Sequence, residues 1–356
     1  MAALQRLRSA LSAGFGRHRP PAGPVEAAKA LAREGKFIEA IAIGTEENRR
    51  EPNPELEWRL AQWRREAFFE QSRSQGRPDW PPAMDDPFPG LQGVADVPAT
   101  ALSPAVMGGA ILHHGCLIVR GLFSQQESTL LANGINRAMD ACARANNGAP
   151  ISETLPWYGQ FPLPEQSVQN GGRPFVETGG GVWTVDSPRM LFQFLELLAQ
   201  KKIPDIIGEY LGERPALSIG KSTLRRVPIT TGTEWHQDGA FLGENIRTVN
   251  MWLSLSHCGI DAPGLDMMPW RIPHLVETGT HGSMFSWAVG QGMAEIVAED
   301  RTITAPEFHP GDAIFFDQLF LHRTGIRPGM TKDRLAIESW FFAPSTYPMD
   351  QEPIFI

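Results

Sequence analysis

The chain has 356 residues, with 32 Lys and Arg against 40 Asp and Glu and a formal charge of −8. Hydrophobic residues make up 42% and charged residues 20%, which excludes intrinsic disorder, collagen and coiled coil as descriptions of the whole; the acidic balance argues against a nucleic-acid binder. Three widely spaced cysteines (Cys116, Cys142, Cys258) make neither a disulfide framework nor a zinc motif and fit a reducing compartment.

Residues 1–24 are expected to form a basic leader: they hold four arginines and no acid. A cytoplasmic protein with such a leader is the preferred reading. A mitochondrial one, with an Arg-rich transit peptide, is the alternative. Residues 25–75 carry apolar side chains at helical spacing, broken once at Gly35-Lys36, and resemble one tetratricopeptide-type unit without a second copy. A helical cap, or a small module that meets a protein partner, follows. Residues 76–100 are rich in Pro, Gly and Asp and read as a linker. Across the chain no apolar stretch is long and uncharged enough to span a membrane; the longest, near Ala105–Phe123, contains His113, His114 and Arg120.

The region 101–356 opens with a helix over AVMGGAILHHG and a strand over CLIVRGLF. Ser124 and Glu127 then form a capping box ahead of a helix that runs to about Arg144, and Ser187-Pro188 starts another. After about Pro215 the texture changes to short alternating runs punctuated by Gly and Pro, among them LSIGKSTLRRVP, TVNMWLSLS and DRLAIESWFFAP. Many short strands and many aromatics (10 Trp, 19 Phe) predict a mainly β sandwich or barrel with helices packed outside it.

The nine histidines divide unevenly. His18 is in the leader, His113 and His114 close a helix, and His309 lies in a turn. His257, His274 and His281 lie in or beside loops without an evident partner. His236 is different, because Asp238 follows two residues later and on a strand would share its face. Alone, that pair fits a simple ion pair as well as a metal site. His322, after the strand run GDAIFFDQLFLH, supplies a third ligand. Two His and one carboxylate make the facial triad of non-haem Fe(II) oxygenases, with positions left open for 2-oxoglutarate and O2. Such a co-substrate needs a cation for its far carboxylate, and Arg334 begins the next strand after a Gly/Pro turn. Thr324 would share the inward face of His322.

The segment from about Ala105 to Pro344 resembles the phytanoyl-CoA dioxygenase family of Fe(II)/2-oxoglutarate-dependent enzymes. The resemblance rests on AILHHGCLIVRGLFSQQE, on TEWHQDGAFLG, and on HPGDAIFFDQLFLHRTG followed by Arg334. It implies a double-stranded β-helix (jelly-roll, cupin-like) core, with a small helical segment before it. It further implies Fe(2+) on His236, Asp238 and His322, 2-oxoglutarate held by Arg334 and Thr324, and release of succinate and CO2 as a small or carrier-linked substrate is hydroxylated. By the same match Trp252 stands on the strand after the first ligands, and Gln237 and Arg226 are minor contributors to cofactor binding. Residues 262–274 (APGLDMMPWRIPH) depart from the family pattern where it shapes the substrate mouth, so the substrate does not carry over. Two other readings compete. One is a non-catalytic jelly-roll that keeps its metal and acts through its helical N-terminus; the other is a Mn or Ni enzyme without 2-oxoglutarate.

Overall fold

The computed structural model describes residues 23–70, 79–164, 172–243, 245–348 and 351–356. Nearly all of the basic leader, the end of the helical segment (71–75) and the start of the linker (76–78) lie outside the described residues.

The helices predicted near the N-terminus are α1 (Pro24–Arg33), α2 (Phe37–Arg50) and α3 (Pro54–Glu70). Gly35, at φ +79°, makes the turn between the first two, a conformation that costs glycine little. Their apolar faces do not stay exposed. Leu56, Leu60, Trp63 and Phe68 join Ala216, Phe342, Tyr347 and Phe355 from the far end of the chain in one buried cluster. The sequence left open whether these helices pack on the core or await a partner; this cluster packs them on it.

After β1 (Asp96–Pro98) come α4 (Pro104–His114), β2 (Cys116–Arg120), α5 (Gln125–Asn146), α6 (Ile151–Thr154) and α7 (Gly172–Thr178). Next are β3 (Gly181–Trp183), α8 (Pro188–Gln200) and α9 (Ile203–Leu211). The glycine pair inside α4 has a packing reason. A Cβ on Gly108 would collide with Met84 and one on Gly109 with the Asp85 carbonyl, so the pair admits the extended segment that precedes β1. His114 fixes the same segment through Asp86, at 2.7 Å.

The remaining elements are β4 (Ala216–Ser218), β5 (Thr223–Val227), α10 (Gly239–Leu242), β6 (Thr248–Ser254), β7 (Gly264–Met267), α11 (Gln291–Ala298), β8 (Ala313–Phe316), β9 (His322–Gly325), β10 (Arg334–Phe342) and β11 (Pro353–Phe355). They form a mixed sheet in the order β1-β2-β8-β6-β10-β4-β11, with β5 on the first half of β10 and β3 beyond it, and a separate two-stranded ladder of β7 and β9. Among the described strand pairs only β1–β2 is parallel. Neither sheet closes into a barrel through the ladders among the described residues. Flanking helices with a mixed sheet are thus what the chain builds.

Strand periodicity gives the large sheet two different faces. Leu224, Val249, Met251, Leu253, Phe315, Ile337 and Phe341 pack with Ile111, Leu131, Ile135, Phe194 and Leu198 of the helices. Trp252, Ile314, Phe316 and Ala336 face the other way and meet Leu265 and Met267 of β7. The second face carries the candidate site. Several short elements escaped the sequence reading, among them β1, which lies in the segment read as a linker, β3, α7, α11 and β7 (GLDM), a four-residue run with no alternation of burial. Among the described residues, no helix is long and apolar enough to cross a membrane.

Candidate metal and co-substrate site

His236 and His322 meet because their backbones pair. His236 N donates to the His322 carbonyl at 2.9 Å and His322 N to the His236 carbonyl at 3.1 Å, an isolated antiparallel bridge. Residues opposite each other in such a bridge bring their side chains together, and the two imidazole centroids lie 4.4 Å apart. Asp238 reaches them differently from the strand geometry expected. The chain leaves the bridge after His236, and Asp238 stands in helical conformation at the N-cap of α10. The turn into that short helix, rather than strand alternation, brings its Oδ1 to 3.7 Å from His236 Nε2.

The ligand atoms of His236, Asp238 and His322 all lie within 4.8 Å of one another. Each histidine is oriented by a backbone carbonyl. Nδ1 of His236 contacts the Glu234 oxygen at 2.8 Å, and Nδ1 of His322 contacts that of Phe320 at 3.1 Å. With Nδ1–H donating, Nε2 of both rings is left with its lone pair, the tautomer that a metal requires. Asn250 donates to Asp238 Oδ2 at 3.3 Å and holds the carboxylate's other oxygen.

Burial opposes charge on all three groups. Desolvation raises the Asp238 carboxyl well above its ordinary range. It lowers the imidazole of His236. His322 is pushed well below the usual value, first by burial and then by His236 beside it. A carboxylic acid and two bases that resist protonation suit a divalent cation, which restores the carboxylate and uses the imidazoles as they stand.

The triad opens on a cavity of about 500 Å³. Arg334 lines its floor and is only 2% exposed. Its Nη1 donates to the Gly264 carbonyl at 3.2 Å, its guanidinium lies over Trp252 at 5.7 Å, and its Nε has no partner. Among the described residues no carboxylate pairs with it within ion-pair distance, and Glu338 acts on it only from farther off. A buried guanidinium without an ion-pair partner is costly. Desolvation accordingly lowers its pKa. Thr324 lines the same wall, facing Leu265 across the β7–β9 ladder, and its N–H donates to Thr233 Oγ1 at 2.8 Å. Trp252 lines the cavity as well, with its indole N–H unpartnered.

Two residues expected near the cofactor are elsewhere. Gln237 does not line the cavity. Its amide nitrogen donates to the carbonyls of His274 and Leu319 at 3.0 and 2.6 Å, and its oxygen accepts from Val276 N at 2.6 Å. It is a clamp between loops, because the residue between His236 and Asp238 points away from them. Arg226 faces α5, where it reaches Asn136 at 3.3 Å and Asp140 at 3.5 Å. Its neighbour Arg225 is the one in the cavity, paired with Glu338 at 3.5 Å.

Glu338 was missed although it stands four residues after Arg334 on one strand, so parity alone would place both on one face. Burial raises its pKa, but Arg225, Arg334 and the Thr223 hydroxyl outweigh that and keep it below the usual range. Aromatic side chains wall part of the cavity. Phe241 and Trp340 line the cavity with Trp287, while Trp235 packs in a different cluster with Arg323 over its ring.

No protein-family model matches this chain, and no curated protein matches it. Solved structures do. EctD from S. alaskensis in its apo form is 18% identical with a TM-score of 0.48, over 76% of this chain and 85% of that one. The non-heme alpha ketoglutarate dependent carbocyclase SnoK from nogalamycin biosynthesis is 15% identical with a TM-score of 0.47, over 70% and 87%. The epimerase SnoN, solved with Fe3+, alpha ketoglutarate and nogalamycin RO, is 15% identical with a TM-score of 0.41, over 66% and 82%. EctD has itself been crystallised with Fe and with 2-oxoglutarate and 5-hydroxyectoine. Scores and identities this low carry no argument about the reaction of this chain, which rests on its own residues.

Proposed function

We propose that the chain is an Fe(II)/2-oxoglutarate-dependent oxygenase of the phytanoyl-CoA dioxygenase type. Residues 101–356 form its jelly-roll catalytic unit, and the helices of 25–75 act as a cap on it. The observation that supports this best is a coincidence within one cavity. A His-Asp-His triad with both Nε2 lone pairs free stands beside a buried arginine whose Nε has no partner and which makes no ion pair among the described residues. Either feature alone has ordinary structural explanations. Together they match the two ends of a keto-dicarboxylate whose keto acid reaches a metal and whose far carboxylate needs a cation.

The residues fit the groups. His236, Asp238 and His322 would hold the iron, and two nitrogens with one carboxylate oxygen suit Fe(II). Arg334, helped by the Thr324 hydroxyl, would hold the C5 carboxylate, which supplies the acceptor that Arg334 Nε lacks. With iron, 2-oxoglutarate and O2 bound, the chemistry supplied is oxidative decarboxylation to succinate and CO2 coupled to hydroxylation of a small or carrier-linked substrate. The chain itself contributes orientation and exclusion of water. Asn250 fixes the second oxygen of Asp238, Trp252 supports the guanidinium of Arg334, and Phe241, Trp287 and Trp340 wall the cavity. Arg225 and Glu338 supply polar groups for the remaining space.

The deciding experiment is spectroscopic. Anaerobic addition of Fe(II) and 2-oxoglutarate should give a weak visible charge-transfer band that Arg334→Ala abolishes. Absence of the band in the wild-type protein, with no succinate formed under air, would overturn the proposal.

A further inference from the structure

Two histidines outside the triad, His257 beside a loop and His309 in a turn, are brought together by the fold. His257, Glu307 and His309 place their ligand atoms within 4.8 Å of one another, on the surface and apart from the cavity. We propose that these three residues form a second metal site, selective for borderline divalent transition ions such as Zn2+.

The geometry comes from one isolated antiparallel bridge. Cys258 N donates to the Phe308 carbonyl at 2.9 Å and Phe308 N to the Cys258 carbonyl at 3.0 Å. In that register His257 stands opposite His309, and Glu307 lies two residues from His309 on the same side. The two imidazoles accordingly stack in parallel, with centroids 5.0 Å apart and planes at 5°. Both Nε2 atoms point at the same oxygen: His257 hydrogen-bonds Glu307 Oε1, and His309 lies 3.6 Å from it. The backbone beneath is anchored, because Cys258 and Phe308 are fully buried and Arg120 donates to the Glu307 carbonyl at 2.7 Å.

Two imidazoles and one carboxylate favour Zn2+, Ni2+ or Cu2+ over Mg2+ or Ca2+, which prefer oxygen alone. The side chains are 35%, 45% and 66% exposed in chain order, so an ion can enter directly from solvent. Asp261, whose Oδ2 is 3.9 Å from His257 Nδ1, is committed to Lys332 at 2.8 Å and stays in the outer shell. An ion here would clamp the segment after β6 to the segment before β8. That clamp lies behind Phe308, whose inner side meets Trp252 edge-on at 5.0 Å.

The test is Zn2+ binding to the metal-stripped full chain by equilibrium dialysis and calorimetry near neutral pH. His236→Ala removes a ligand of the cavity triad and leaves the surface cluster intact. His309→Ala removes a mostly exposed side chain, and circular dichroism checks its fold. We expect His236→Ala to bind one Zn2+ and to melt at a higher temperature with it. Adding His309→Ala or Glu307→Gln to that background should weaken this binding by about tenfold or more and cancel the thermal shift. In the His236→Ala background, bound Cu2+ should show coupling to two imidazole nitrogens, reduced to one by His309→Ala. Should the His236→Ala protein bind no Zn2+ at micromolar concentration, or bind it equally with and without His309 and Glu307, the surface site is excluded. Neither result depends on oxygenase activity, so this inference and the proposed reaction can fail separately.

Discussion

Arg334 and Asp238 are each held in a state that their surroundings oppose. Arg334 is buried beside Trp252 with one backbone acceptor and an unpartnered Nε. A dicarboxylate entering the cavity would supply the missing anion. Arg334→Ala should therefore cost about 2–5 kcal/mol of 2-oxoglutarate affinity by calorimetry on the Fe(II)-loaded protein. Arg334→Lys should recover only part of it, since an ammonium cannot reproduce a bidentate fork. Burial shifts Asp238 opposite to the usual direction for a folded carboxylate. Its folded pKa is raised, so the native state holds a proton that the unfolded chain has released. The metal-free protein should lose stability from this group as pH rises above the normal carboxylate range. The two histidines have lowered pKa values, so their contribution is lost instead as pH falls below their unfolded value near 6.5. Asp238→Asn should accordingly raise the metal-free melting temperature at neutral pH while removing tight Fe(II) binding. A lower melting temperature would contradict this account. Asn250→Ala, which frees Asp238 Oδ2, should weaken Fe(II) binding about 10–100-fold with little change in fold.

At the scale of elements, β10 links the site to the rest of the molecule. Arg334 and Glu338 face the cavity from its first half, while Phe342 at its end joins the cluster under α3. Leu60 of α3 is 3% exposed in that cluster. Leu60→Ala should cost about 2–5 kcal/mol in urea denaturation, as core truncations do. A cost near zero would mean that the helical front is an independent attachment. The β3–β5 pair has its own close fit. A Cβ on Gly180, which stands at φ +73°, would collide with the Arg226 carbonyl, which gives a packing reason for the glycine at the centre of Gly179-Gly180-Gly181. The capping box at Ser124 was legible from spacing alone and is formed: Glu127 N donates to Ser124 Oγ at 3.2 Å, and Ser124 N to Glu127 Oε2 at 2.7 Å. Element starts of this kind are local, and local chemistry is what a sequence displays most directly.

For the whole molecule, the N- and C-terminal parts of the described chain share one apolar interior. Ala216, Phe342, Tyr347 and Phe355 would lose their cover without α1–α3. A chain lacking residues 1–70 should therefore be recovered aggregated or with a much reduced melting temperature, and not as a stable core missing an accessory module. Sedimentation and thermal melting distinguish these outcomes. Such a shared cluster favours the helices as a structural cap, although their amphipathic pattern read equally well as a partner surface.

The sequence by itself determined which residue types were available and in what order. Two histidines and an aspartate, an arginine after a Gly/Pro turn, helix starts and strand parity were all readable because they depend on neighbours a few positions apart. Thr324 and His322, two residues apart, line the same cavity. The tertiary structure alone decided the pairing. It put Arg225 and not Arg226 in the cavity, turned Gln237 away from it into the loops behind, and brought Glu338 opposite Thr223. It also set His236 across from His322 and His257 across from His309. The physical reason is that sheet register is fixed by hydrogen bonds between segments tens of residues apart. A shift of one residue exchanges the faces of a strand, and nothing within the strand itself records which face will meet the metal.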